Sequence, residues 1–133
     1  MAGERAHAAA FIARLNAALG APAADPTRGA FDYDDVPDVL PKIYATVTVS
    51  QRGGAPIRMC GGQPMYGWRA TTRVVGRTVD EARAAREWIE AEIRNKPLVV
   101  DGRESTDVRF ETEDVIEPDD GRYSGLTTWT YAL

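Results

Sequence analysis

The sequence predicts an α+β fold: a mainly antiparallel sheet of about five strands flanked by two helices, in the order α-β-β-α-β-β-β. Three observations predict it. Two segments place apolar residues at the three- and four-residue spacing of a helix. Five others alternate with period two or form short β-branched runs. Helices occur in only two places, so most strands follow one another through turns, which favours antiparallel neighbours.

The 133 residues suit one domain spanning 1–133, with a proline-rich connection at 21–41 and a long hairpin tip at 52–66. Apolar residues make up 44% and charged residues 27%, a globular composition. Sixteen basic against 20 acidic side chains leave a net charge of −4, which disfavours binding nucleic acid by bulk charge. One Cys rules out an internal disulfide framework. The longest apolar stretches fall short of the roughly 18 residues of a membrane span. No basic region followed by an apolar run opens the chain, so no secretory signal is expected.

The first helix runs from Glu4 to Leu19, with Phe11, Ile12, Leu15, Ala18 and Leu19 on one face. Gly20 stops it and Pro22 cannot continue it. Residues 21–41 hold Pro22, Pro26, Pro37 and Pro41 among Asp25, Asp32, Asp34, Asp35 and Asp38, too polar and proline-rich for a regular element. Long connections of this kind wrap a surface or meet a partner; Phe31, Tyr33, Val36 and Leu40 are its anchors.

Ile43–Ser50 alternates, with Ile43, Ala45, Val47 and Val49 facing in and Tyr44, Thr46, Thr48 and Ser50 facing out. Gly67–Val75 sets Trp68, Ala70, Thr72 and Val74 against Arg69, Thr71, Arg73 and Val75. The two strands are expected to pair as a hairpin whose mobile tip is Arg52–Tyr66, rich in Gly53, Gly54, Pro56, Gly61, Gly62 and Pro64.

Thr78-Val79-Asp80-Glu81 is a capping box, in which the Thr78 hydroxyl takes the Glu81 amide and the Glu81 carboxylate the Thr78 amide. Ala82, Ala85, Ile89 and Ile93 form the buried stripe of the second helix, and Pro97 ends it. Arg83–Glu87 and Arg86–Glu90 are expected to pair on its solvated face. Arg94 and Lys96 suit its negative end. Three strands follow: Leu98–Val100 up to the Asp101-Gly102 turn, Asp107–Thr112 with Val108 and Phe110 inward, and Leu126–Leu133 with Trp129, Tyr131 and Leu133 inward.

Catalytic chemistry is not announced. His7 sits among alanines without a second His, and reads as an exposed helix position. Cys60 has no adjacent imidazole or helix N-terminus to lower its pKa and reads as a small apolar or half-exposed thiol. The tip glycines match no phosphate-binding spacing. The acids Glu111, Glu113, Asp114, Glu117, Asp119 and Asp120 do not follow the twelve-residue calcium loop, and Pro118 breaks them, so they read as a solvated turn. Arg69, Arg73 and Arg77 are expected to pair within the chain. No cofactor, metal or catalytic residue is expected.

Gly67-Trp68-Arg69-Ala70-Thr71-Thr72-Arg73, leading through Val75-Gly76-Arg77-Thr78 into Glu81-Ala82-Arg83, and Tyr123-Ser124-Gly125-Leu126-Thr127-Thr128-Trp129-Thr130-Tyr131 near the end, resemble the tail terminator (tail-completion) proteins of long-tailed bacteriophages, especially those of actinobacteria. The resemblance follows the order of elements over residues 5–133. It implies a non-enzymatic virion protein, made in the host cytoplasm, that forms a hexameric ring at the head-proximal end of the tail. Such a ring caps the tail tube, stops its polymerisation and docks the head connector or stopper, while genomic DNA passes through the lumen without specific binding. A ring needs heterologous contacts. The expected contact residues, which the resemblance does not itself assign, are Arg52, Gly53, Gly54, Ile57, Arg58, Met59, Met65 and Tyr66 on the tip, with Phe31 and Tyr33. Glu117, Asp119 and Asp120 are the candidates for a lumen lining, where negative charge repels phosphate. A head–tail stopper or tube-related protein of similar fold remains an alternative, as does a small ligand-binding domain or enzyme.

Overall fold

The computed structural model describes residues 3–20, 28–53, 57–58 and 64–133. The readings made for Pro22, Asp25, Pro26, Gly54, Pro56, Met59, Cys60, Gly61 and Gly62 fall outside them.

Helix α1 spans Glu4–Leu19 and ends at Gly20, whose positive φ of 74° lets its N–H reach back to Ala17 O. Its buried residues are His7, Phe11, Leu15 and Leu19, four apart. Ile12 and Ala18 only partly enter the core. Strand β1 (Arg28–Asp32) comes next and is a correction, because the proline-rich connection was expected to carry no regular element. Five residues between the prolines suffice to form it, and it runs parallel to β2 (Ile43–Gln51), with Arg28 opposite Ile43 and Asp32 opposite Val47.

The short strands β3 (Ile57–Arg58) and β4 (Pro64–Met65) pair with each other. Beyond them β5 (Gly67–Gly76) returns antiparallel to β2, with Val47 opposite Thr72, forming the expected hairpin. Helix α2 spans Val79–Ile93 and buries Ala82, Ala85, Ile89 and Ile93, the predicted stripe. Strands β6 (Pro97–Val100) and β7 (Arg103–Asp107) form a hairpin across Asp101 and Gly102, at φ 49° and 76°. Two successive positive φ angles mark the turn that suits strand twist, and Asp-Gly is the sequence that tolerates it. Asp120 and Gly121, at 50° and 80°, likewise join β9 (Glu117–Asp119) to β10 (Arg122–Ala132).

The expected strand Asp107–Thr112 is interrupted. β7 ends at Asp107 and β8 (Arg109–Glu113) begins after Val108, which is 1% exposed. Val108 leaves the ladder because the loop after α2 uses it: its N–H donates to Lys96 O at 2.8 Å and its carbonyl accepts from Asn95 at 2.8 Å. The last strand starts at Arg122, earlier than expected.

The main sheet runs β1-β2-β5-β10-β8, with β9 beside the start of β10. All neighbours are antiparallel except β1 and β2. A bulge between Thr128 and Trp129 leaves Glu111 as the extra residue on β8. Both helices cover one face, burying Ala45, Val47, Val49, Ala70, Val74 and Trp129 in one core. On the opposite face Tyr44, Thr46 and Val75 are also buried, whereas Thr48, Ser50 and Arg69 are exposed. Phe31 tilts against Tyr44 at 6.4 Å, and the Arg122 guanidinium lies 5.7 Å from the same ring. Arg122 Nη1 also donates to the Pro41 and Lys42 carbonyls, at 2.7 and 3.0 Å. This arginine straps the proline-rich segment over one end of the sheet.

Candidate assembly surfaces

Polar groups inside the fold serve packing. His7, expected at the surface, is 1% exposed. Its Nδ1 lies 2.7 Å from the Tyr131 hydroxyl, and its ring stacks on Trp68 with centroids 3.8 Å apart. The correction has a simple cause: His7 stands one turn before Phe11 on the inward face of α1, beneath the two aromatic side chains. Burial pushes the Tyr131 hydroxyl up. Trp129 donates its Nε1 hydrogen to Thr72 Oγ1 at 3.1 Å.

Half of the acidic run is answered by arginine. Arg69 reaches Glu111 at 3.0 Å, Arg86 reaches Glu113 at 2.7 Å, and Arg73 bonds Asp119, which also accepts from Ser124. The expected intrachain pairing of Arg69, Arg73 and Arg77 therefore holds, with Arg77 meeting Glu81 at 3.2 Å. The expected Arg86–Glu90 pair does not form: Arg86 turns to Glu113 and the Asp114 carbonyl, and Glu90 pairs with Arg94 at 2.5 Å. Nor do Arg83 and Glu87 form an ion pair among the described residues.

Half of the capping box is present. Thr78 Oγ1 accepts from the Glu81 amide at 3.1 Å, but the Glu81 carboxylate takes the Arg77 amide and guanidinium instead of the Thr78 amide. Burial would raise the Glu81 pKa, yet these hydrogen bonds and the charges of Arg77 and Lys42 together hold it below the usual value. At the other end Lys96 Nζ donates to the Ala91 carbonyl at 3.0 Å, as a cation at a helix C-terminus should. Among the described residues no three His, Cys, Asp or Glu side chains gather as metal ligands, and no helix is long and apolar enough to cross a membrane.

The anticipated contact residues lie at separate places. Arg52 and Gly53 are exposed where β2 ends, and Arg52 donates its backbone N–H to Gly67 O at 2.8 Å. Ile57 and Arg58 form β3. Met65 is 8% exposed, buried in its own chain instead of standing out on a tip. Tyr66 exchanges two backbone hydrogen bonds of 3.0 Å with Leu133, tying the base of the tip to the end of the described chain. Phe31 is half-buried on Tyr44, whereas Tyr33 is 62% exposed in the turn after β1. Glu117 and Asp120 are exposed and Asp119 half-buried.

Three clefts flank these surfaces, and the one that holds Tyr33, of about 380 Å³, is also lined by Glu4, Arg5, Asp32 and Asp34. One of about 350 Å³ is lined by Arg52, Met65, Asp107, Arg109, Thr130 and Tyr131. Another of about 550 Å³ runs between α2 and residues 113–116, with Arg86 and Glu113 in its wall.

No family model matches the chain, and no curated protein does. Nine chains of solved structures do, in three dimensions, and two of them show the extent of the likeness. One, from the virion of a native gene transfer agent particle, superposes with a TM-score of 0.62 at 14% identity, covering 93% of this chain and 92% of that one. The second, which carries no functional description, gives 0.65 at 15% identity over 99% and 96%. The likeness is one of fold. It extends over nearly the full length of both partners, so the helices, the sheet and their order recur together.

Sequence reasoning missed the structural work of His7, Arg122 and Arg86. His7 had a signal, since positions 7, 11, 15 and 19 form one unbroken series of four-residue steps. Arg122 and Arg86 had none, because their partners lie 80 and 27 positions away.

Proposed function

We propose that this chain is a non-enzymatic structural protein of a phage-like virion, and specifically a tail terminator. In this reading six copies form a ring at the head-proximal end of the tail. The ring caps the last layer of tail tube protein, ends polymerisation and presents a surface to the head connector or stopper. Genomic DNA passes through its lumen without specific contacts, and Glu117, Asp119 and Asp120 contribute to the lumen lining. The chain is made in the host cytoplasm, folds as a single domain over 1–133 and ends up in the virion.

The observation that carries this reading is the fold shared, over nearly whole length, with a chain of a gene transfer agent virion. Three ion pairs also fit it: Arg69–Glu111 and Arg73–Asp119 tie strands of the sheet together, and Arg86–Glu113 ties α2 to β8. Negative-stain imaging of the purified protein, alone and mixed with tail tubes of the same virion, tests the proposal. Six-fold rings, or a cap on one end of the tubes, are the expected result. A protein that stays monomeric and leaves the tubes bare would overturn it.

A further inference from the structure

We propose that neighbouring copies overlap face on face. The helix side of one copy, at its β1 edge, carries Glu4, Tyr33, Asp34 and Asp35 and packs under the open sheet face of the next, where Arg52 and Arg109 line a cleft. The inference deepens the ring reading and rests on it.

The sheet face away from the helices is covered by its own chain at one end, where Phe31 and Arg122 lie against Tyr44. Toward the other end Thr48, Ser50, Arg69 and Arg109 are exposed, and Thr71, Thr128 and Thr130 are half-buried. Register places Arg109 on this face, since it stands opposite Thr130, Thr130 opposite Arg69, and Arg69 opposite Ser50. Arg52 follows Ser50 by two positions and packs where Gly67 leaves room: a Cβ on Gly67 would stand 3.5 Å from both Arg52 Cβ and Cδ. The two arginines line one cleft with Gly67, Thr130 and Ala132. Neither forms an ion pair among the described residues. An antiparallel sheet tolerates one wet face, and two unpaired arginines at a cleft make this one favour an acidic occupant.

A matching acidic patch lies on the same chain. Asp32 stands opposite Val47, whose side chain enters the core beneath the helices, so Asp32 faces the helix side. There it shares a cleft with Glu4 and Arg5 of α1 and with Tyr33 and Asp34. Asp35 closes the same turn, its amide donating to Asp32 O at 3.1 Å. Glu4, Asp34 and Asp35 are exposed, and none forms an ion pair among the described residues. The acids of this patch outnumber its one cation, Arg5, just as Arg52 and Arg109 outnumber Asp107 in the opposing cleft. Arg5 and Asp107 are themselves of opposite sign. Complementary charge across an interface fixes orientation and suppresses the wrong approach.

The placement of the two patches suits a ring. β1 runs parallel to β2, so Tyr33, beyond Asp32, arrives beside Val49 at the end of the sheet where Arg52 lies. Gln51, Trp68 and Tyr131 are successive cross-strand partners at that same end, with Thr130 and Arg109 beside them. The patches therefore share one end of the sheet but occupy opposite faces, the acidic one at the β1 edge and the basic one reaching the β8 edge. A second copy moved sideways and one layer down, without inversion, brings its acidic patch under the basic patch of the first. The contact is heterologous, so each copy offers one patch of each kind, and a rotation that closes gives a ring. No strand edge takes part: the Ala30 amide already donates to Asn16 Oδ1 at 3.0 Å, and Asp32 O is held within the turn. Tyr33, 62% exposed amid the acids, is the aromatic anchor of the patch.

Two measurements test this, with rings or tube caps counted by electron microscopy and folding checked by circular dichroism. Asp34→Arg with Asp35→Arg, and separately Arg52→Glu with Arg109→Glu, should each lower the ring or cap population about tenfold, and all four changes together should restore it. The milder Arg52→Lys with Arg109→Lys keeps both charges and should still assemble. Treated with a carbodiimide, its rings should yield peptides in which an introduced amine is joined to Glu4, Asp34 or Asp35 of another copy, identified by mixing isotope-labelled with unlabelled protein. Rings that form normally in both charge reversals, or crosslinked rings without those peptides, would overturn the overlap and leave the ring standing. Absence of rings and caps from the unaltered protein would overturn the ring reading, and this contact with it.

Discussion

His7 Nδ1 and the Tyr131 hydroxyl lie 2.7 Å apart across 124 positions of sequence, joining the first helix to the last strand inside the core. Trp68 stacks on the imidazole from β5, and Phe11 tilts against Tyr131 at 5.6 Å. Three distant segments therefore share one buried polar contact. A buried hydrogen bond contributes modestly when made and costs more when one partner is removed.

Tyr131→Phe should accordingly destabilise the fold by about 1–3 kcal/mol at neutral pH, measured by urea unfolding. The pH dependence has a definite sign. Burial raises the Tyr131 pKa, so its contribution is fully present below the unfolded value near about 10 and is lost as pH rises from there. The stability gap between the two proteins should shrink above about pH 10. A gap that stays constant to strongly alkaline pH would mean that the hydroxyl ionises as easily folded as unfolded.

Trp129 is 1% exposed, meets Phe110 edge-on at 6.1 Å and bonds Thr72 through its indole N–H. Trp129→Ala should cost about 3–5 kcal/mol in the denaturant midpoint converted to free energy. A loss under about 1 kcal/mol would be the cost of a surface side chain, which this is not.

Gly76 lies where β5 hands over to α2. A Cβ there would stand 2.7 Å from the Ala82 backbone nitrogen and 2.8 Å from Glu81 Cβ. Since backbone cannot step aside as a side-chain tip can, Gly76→Ala should destabilise by about 1–3 kcal/mol in thermal or urea unfolding. An unchanged midpoint would show that the first turn of α2 yields freely.

Thr78→Ala removes the side-chain acceptor of the Glu81 amide and should cost about 1 kcal/mol. Glu81→Ala should cost less, because its carboxylate binds the exposed Arg77 and not the Thr78 amide. Equal losses from the two would restore the reciprocal capping box.

Local chemistry made much of this fold legible. The stripe Ala82, Ala85, Ile89 and Ile93, the Thr78 cap, the Gly20 stop and the Asp101-Gly102 turn each follow from residues within one or two turns of chain. What escaped is what depends on distant partners. Arg28–Asp32 has no β-branched residue and becomes a strand by pairing with β2. Val108 belongs to a strand by periodicity and leaves it for the loop after α2. Tyr44 and Thr46 point away from the helices, as alternation predicts, yet are covered from the other side, where Phe31 and Arg122 lie against Tyr44. Which strands lie at the ends of the sheet was not legible either, since sheet order depends on pairings between distant segments.

The central proposal is that this chain ends the growth of a tail tube. Tail tube protein of the same virion, polymerised with and without this chain, gives the direct measurement in its distribution of tube lengths. A terminator shortens the tubes and leaves a six-fold cap on one end, with no further growth from that end when fresh subunits are added. Tubes of unchanged length that keep growing from both ends would contradict it.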